Sequence, residues 1–112
     1  ELDGGTTSYD ISPREAKALI EHDPRVVILD VREPHEYEIV HLEGAKLIPL
    51  SELHLRANEL DTAETILVHC HHGPRSQQAI KVLERFGFKK FKHLHRGIDA
   101  WASEVYSEMA RY

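Results

Sequence analysis

Two short apolar runs constrain the fold of this chain more than any other feature. Val26 to Leu29, and Thr65 to His69 with Ile66, Leu67 and Val68 at its centre, are rich in β-branched residues and show no polar alternation. A strand with one wet face alternates; one that does not is covered on both faces, as in a parallel sheet between helices. Helical patterns stand where such a sheet needs its crossovers. Ser12-Pro13-Arg14-Glu15 has the N-cap serine, first-turn proline and third-position glutamate of a capping box, opening a helix with Ala16, Leu19 and Ile20 on one face and stopped by Asp23-Pro24. Lys46 to Pro49 reads as a short strand, with Ser51 capping a helix that carries Leu53, Ala57 and Leu60. Ala79, Ile80, Leu83 and Phe86 form a helical stripe closed by Gly87 as a left-handed C-cap, with Phe88 packing back. Phe91 to Leu94 supplies a further strand, and Ile98, Trp101, Ala102, Val105 and Met109 a last amphipathic helix. The expected fold is α/β in three layers, a mainly parallel central sheet with helices on both faces.

Bulk properties narrow the function classes. A chain of 112 residues is long enough to close a core without staples, and no repeat or second domain interrupts it. Residues 1–8, ELDGGTTS, read as a flexible leader and residues 9–112 as the domain. A formal charge of −5 lacks the basic footprint of a phosphate-backbone binder, so nucleic acid is not an expected partner. No apolar stretch approaches the ~20 residues of a bilayer crossing, so no membrane role is expected. The single cysteine excludes an internal disulfide framework and points to a reducing, cytoplasmic setting.

That cysteine sits in HCHHGPRS, residues 69–76, between a buried strand and a helix. In parallel α/β sheets ligands gather at the carboxyl ends of strands, where the next helix directs free backbone N–H groups at them. A free cysteine with pKa near 8.5 is only about 3% thiolate at pH 7; the helix end, Arg75 and any protonated histidine nearby would raise that fraction. A lone cysteine ending a strand is more often a small buried hydrophobe. The company changes the balance: Gly73 permits a tight loop, Ser76 stands at a helix start, and Arg75, a cation at the positive end of a helix dipole, calls for an anion partner. Metal binding is not expected. The consecutive residues His69, Cys70, His71 and His72 point to alternate sides, and the pair His93 and His95 has no accompanying ligand pattern.

With Asp30-Val31-Arg32-Glu33, Glu36-Tyr37, His41-Leu42-Glu43-Gly44-Ala45, Ile48-Pro49, the CHHGPRS loop and Gly97-Ile98-Asp99-Ala100-Trp101, the chain resembles a single-domain rhodanese from about Ile11 to Trp101. The resemblance implies a sulfurtransferase. It would take a sulfane sulfur from a small-molecule donor such as thiosulfate, hold it on the cysteine as a persulfide, and pass it to a thiol, cyanide or protein acceptor, with no cofactor. Carried over by position, Cys70 is the nucleophile, and His71, His72, Gly73, Pro74, Arg75 and Ser76 form the substrate-binding loop. Their N–H groups would cradle the anion and Arg75 would hold the donor's charge. Asp30 and Arg32 resemble the family's structural pair beside the site, and Gly44 and Gly97 its turn glycines. Three positions depart from the pattern: Pro74 removes an N–H, Arg96 replaces the first of two glycines, and Val40 replaces a glycine before His41.

Two other functions compete. Certain dual-specificity phosphatases share the expected fold, but only four residues separate Cys70 from Arg75, too few for the loop that wraps a phosphate, and no aspartate general acid can be assigned. A persulfide carrier or sensing module of a larger protein is the other alternative.

Overall fold

The computed structural model describes residues 9–106 and 108–112; the expected leader lies outside them. Five strands run β1 (Asp10–Ile11), β2 (Val27–Asp30), β3 (Lys46–Leu47), β4 (Ile66–His69) and β5 (Phe91–Leu94). They form one sheet in the order β1-β5-β4-β2-β3, and every pair is parallel. The two apolar runs are neighbours, Val27 to Asp30 in register with Ile66 to His69. Central β4 is buried at all four positions.

Side chains alternate across a strand, and the two cores follow that alternation. Leu29, Val31, Ile66, Val68 and Cys70 face a layer holding Leu53, Ala57, Ala79, Ile80 and Leu83. Ile28 and Leu67 face Ala16, Ile98 and Trp101 on the other side. The first layer contains α3 (Leu53–Arg56) and α4 (Pro74–Arg85); the second contains α1 (Pro13–His22) and α5 (Gly97–Glu104). Fully burying Ile66, Leu67 or Val68 contributes roughly 1.5–3 kcal/mol each, so the run that guides the fold also anchors the loop that follows it.

Local signals act largely as expected. Ser12 caps α1, with Glu15 N–H donating to Ser12 Oγ and Ser12 N–H to Glu15 Oε1. At the end of α4, Gly87 lies at φ +90. Its N–H donates to Glu84 O and that of Phe88 to Leu83 O, a Schellman closure.

Other expectations need correction. Ser51 caps nothing: the chain winds into a 3₁₀ turn, Leu50–Glu52, directly after Pro49, so Ser51 lies within the turn rather than ahead of a helix. The helix beyond is one α turn followed by a second 3₁₀ turn, Ala57–Glu59, although Leu53, Ala57 and Leu60 are buried as read. Phe86 is 47% exposed, because the reversal at Gly87 hands the core position to Phe88, which is 4% exposed. Met109 lies beyond α5 yet packs on the second core. A short helix α2 (Pro34–Ile39) and the two-residue β1 were not foreseen.

Candidate active site

Cys70 follows β4 directly and lies under the N-terminus of α4, 1% exposed. Gly73 supplies the turn: at φ +133 it adopts a conformation that L side chains avoid, and its N–H donates to Cys70 Sγ at 3.0 Å. Pro74 is the first residue of α4. A helix leaves its first N–H groups without intrahelical partners, so the proline occupies a position whose N–H the helix does not use. Ser76 Oγ lies 3.4 Å from Cys70 Sγ and 2.9 Å from Gly73 O. The sulfur thus faces one backbone donor and one hydroxyl.

The outer side of the loop is clamped by α5. Ile98 N–H donates to Cys70 O at 2.8 Å and Asp99 N–H to His71 O at 3.2 Å. This close approach requires Gly97, since a Cβ there would sit 2.4 Å from both carbonyl oxygens. The turn ahead of α5 keeps a left-handed shape despite its missing glycine. Arg96 has φ 61, the one non-glycine residue with positive φ among the described residues, at a cost of roughly 1–2 kcal/mol. Val40 is extended, at φ −165, so no glycine is needed there.

Arg75 does find an anion, and it is an internal one. Its guanidinium meets Glu36 of α2 through two bonds, Nη1 to Oε1 at 2.6 Å and Nη2 to Oε2 at 2.8 Å. The Glu36 carboxyl is held down at about 2, first by Arg75 and further by the Glu33 N–H and the Tyr112 hydroxyl, against the opposing effect of burial. Asp30 and Arg32 are fully buried, and the Nε and Nη2 groups of Arg32 donate to both oxygens of Asp30. The remaining N–H groups of Arg32 reach Glu36 O, Val40 O and, at 2.6 Å, Tyr112 Oη. Tyr112 Oη in turn donates to Glu36 Oε2, and its ring stacks on His71 at 3.8 Å. One network therefore runs from the end of β2 through Arg32, Tyr112 and Glu36 to the arginine of the cysteine loop. Sequence reasoning assigned no role to Glu36 or Tyr112.

Two of the histidines beside Cys70 are disfavoured as carriers of the positive charge anticipated for it. Burial most strongly pushes His69 downward, and burial together with His72 does so for His71. His72 is exposed, with Nδ1 3.9 Å from Asp99. His93 and His95 share one carboxylate, their Nδ1 atoms lying 2.8 and 3.1 Å from the two oxygens of Asp10.

Cys70 thus stands at the carboxyl end of a central parallel strand, its sulfur accepting the Gly73 N–H of the loop that starts the next helix. Among known proteins, residues 12–104 match the rhodanese-like domain, and the chain belongs to that family, whose members include sulfurtransferases. It is 35% identical over 104 residues to "Probable adenylyltransferase/sulfurtransferase MoeZ" of Mycobacterium tuberculosis, covering 91% of this chain and 26% of that protein. It is 30% identical over 101 residues to thiosulfate sulfurtransferase GlpE of Ectopseudomonas mendocina, covering 90% of this chain and 91% of that one. A rhodanese-related protein from Thermoplasma volcanium superposes with a TM-score of 0.76 at 31% identity, over 87% of this chain and 93% of that one. The chain spans about a quarter to a half of the length of the first curated relatives it matches. No helix among the described residues is long and apolar enough to cross a membrane.

Proposed function

We propose that the protein takes a sulfane sulfur from a donor such as thiosulfate, carries it on Cys70 as a persulfide, and delivers it to a thiol or cyanide acceptor. The Cys70 thiolate attacks the outer sulfur of the donor, a new S–S bond forms, and sulfite leaves with the electron pair of the bond that breaks. The acceptor then attacks the terminal sulfur of the persulfide and Cys70 departs as thiolate. The observation that carries this reading is the sulfur's surroundings: Gly73 N–H at 3.0 Å and Ser76 Oγ at 3.4 Å, in a loop with four residues between Cys70 and Arg75. His71 to Ser76 line the approach, while Asp30 and Arg32 hold the framework behind it. A single cysteine without a disulfide partner suits a reducing, cytoplasmic compartment.

Because Glu36 neutralises Arg75, the arginine's part in the unbound protein is to fix the loop, and recognition of an anionic donor requires the pair to open or the donor to use the N–H groups alone. A second reading, a persulfide carrier within a larger protein, is supported by the similarity to MoeZ, a longer protein named for two activities. Thiocyanate production from thiosulfate and cyanide separates the readings from a phosphatase. The wild type should form thiocyanate, Cys70→Ser should not, and neither should hydrolyse an aryl phosphate. Faster aryl phosphate hydrolysis through Cys70 than sulfur transfer from any sulfane donor would overturn the proposal.

A further inference from the structure

A buried polar chain leads away from the cysteine through residues that the Arg75 network does not use. Cys70 Sγ lies 3.4 Å from Ser76 Oγ, Ser76 Oγ lies 2.5 Å from His93 Nε2, and His93 Nδ1 lies 2.8 Å from Asp10 Oδ1. Cys70, Ser76 and His93 are each at most 1% exposed, and the Asp10 side chain is 7% exposed. Four polar residues from β1, β5, α4 and the cysteine loop converge here under the catalytic turn. A packed apolar core would need none of them.

The carboxylate fixes the tautomer. A ring nitrogen 2.8 Å from a carboxylate oxygen carries a proton, so Nδ1 donates to Asp10 and Nε2 is the position whose protonation varies. With a bare Nε2, Ser76 donates its single proton to His93 and its oxygen accepts from the Cys70 thiol. With Nε2 protonated, His93 donates to Ser76, and the hydroxyl proton lies between Gly73 O at 2.9 Å and the sulfur at 3.4 Å, which also accepts the Gly73 N–H. These two arrangements differ by one proton moved from sulfur to imidazole.

We infer that His93, oriented by Asp10, is a positioning residue that receives the Cys70 proton through Ser76 and keeps the sulfur as a thiolate ready to accept a sulfane sulfur. The inference rests on the reading of Cys70 as the nucleophile and assigns the destination of its proton. In the step, the Cys70 S–H bond breaks as a new Ser76 O–H bond forms, while the original Ser76 O–H bond breaks as His93 Nε2–H forms. Nothing is oxidised or reduced. The product is a thiolate and an imidazolium joined by a neutral hydroxyl, with Asp10 balancing the imidazolium. The other titratable groups around His93 include His95, which holds the second oxygen of Asp10, His69 from β4, and His72 and Arg96, which border the same cavity. His93 borders a cavity of about 340 Å³ together with His72, Gln77, His95 and Arg96.

The test reads the proton directly on the full chain. Nitrogen-15 spectra of the His93 ring at pH 7 should show a protonated Nε2 in the wild type, together with thiolate absorbance, and a bare Nε2 in Cys70→Ser, whose hydroxyl does not ionise. The same Nε2 state in both proteins would overturn the inference. Ser76→Ala, which interrupts the chain without touching either end, should slow alkylation of Cys70 by iodoacetamide at pH 7 at least ten-fold relative to pH 10. His93→Gln should do the same, and the double variant should be no slower than either single one. Folded single variants with unchanged alkylation profiles would equally refute it. Neither readout involves sulfur transfer. A thiolate coupled to His93 that loads no sulfur from any donor would therefore contradict the proposed function and leave this inference standing, and sulfur loading without coupling would do the reverse.

Discussion

Glu36→Gln removes the carboxylate that faces Arg75 while keeping the shape of the side chain. Both bonds of the pair run to Glu36, whose side chain is 9% exposed, whereas Arg75 is 36% exposed. Holding a carboxyl at about 2 instead of 4.5 corresponds to ~3 kcal/mol of preference for the ionised form in the folded state. Solvent access to the arginine lowers this to about 2 kcal/mol. The folded value lies below the unfolded one, so this contribution is fully present above about pH 4.5 and is lost as pH falls through about 2. Urea unfolding at several pH values measures it. At pH 7 the variant should be less stable by about 2 kcal/mol, a midpoint shift on the order of 1 M. Between pH 4.5 and 2 the wild-type and variant curves should converge. Other carboxylates, Glu59 among them, titrate in both proteins and cancel in the difference. Parallel curves from pH 7 to pH 2, or no offset at all, would refute the assignment of Glu36 as the ionised anchor of the loop. With Arg75 released, the variant should also show a lower KM for thiosulfate.

Four further substitutions, at three positions, probe the frame of the loop. Gly97→Ala places a Cβ 2.4 Å from the Cys70 and His71 carbonyl oxygens and should lose more than about 3 kcal/mol in urea unfolding, with slower sulfur loading in a discontinuous assay. Arg96→Gly relieves a left-handed residue but frees the unfolded chain and removes an exposed ion pair with Glu104, so its stability should stay within about 0.5 kcal/mol of wild type, whereas Arg96→Val should lose about 2 kcal/mol. Tyr112→Phe keeps the ring over His71 but leaves a buried Arg32 donor unpaired, which should lower stability by about 1–2 kcal/mol in thermal unfolding.

The parts of the fold legible in the sequence are those whose cause is local. The unalternating runs at Val26–Leu29 and Thr65–His69 report burial on both faces, the Ser12–Glu15 capping box reports a helix start, and Gly87 reports a helix end. What escaped depends on contacts between distant residues or on very short elements. β1 is two residues long and exists through its pairing with β5. α2 is six residues with glutamate rather than serine ahead of its proline, although Glu36 N-terminal capping of Glu33 N–H is a recognisable pattern in retrospect. Phe86 shares the α4 spacing, yet one residue at positive φ turns Phe88 inward instead.

The candidate site divides in the same way. Cys70, Gly73 and Ser76 lie within seven consecutive positions, and their chemistry can be read from residue type and order. The anion that Arg75 needs was anticipated, but Glu36 stands 39 residues away and only the packing of α2 against the loop joins them. Tyr112 and Asp10 lie farther still from the residues they hold. In the sequence His93 stands out only as one of a pair with His95; its alignment with Ser76 depends on the register of β5 beside β4.

The central claim is that Cys70 carries the transferred sulfur, and intact-protein mass spectrometry tests it most directly. Incubation of the reduced protein with thiosulfate should add one sulfur atom, the adduct should disappear on treatment with a thiol or cyanide, and Cys70→Ser should gain nothing. Cys70 is the chain's one cysteine. An adduct that persists in Cys70→Ser, or a folded wild type that acquires no sulfur from thiosulfate or any other sulfane donor, would contradict the account.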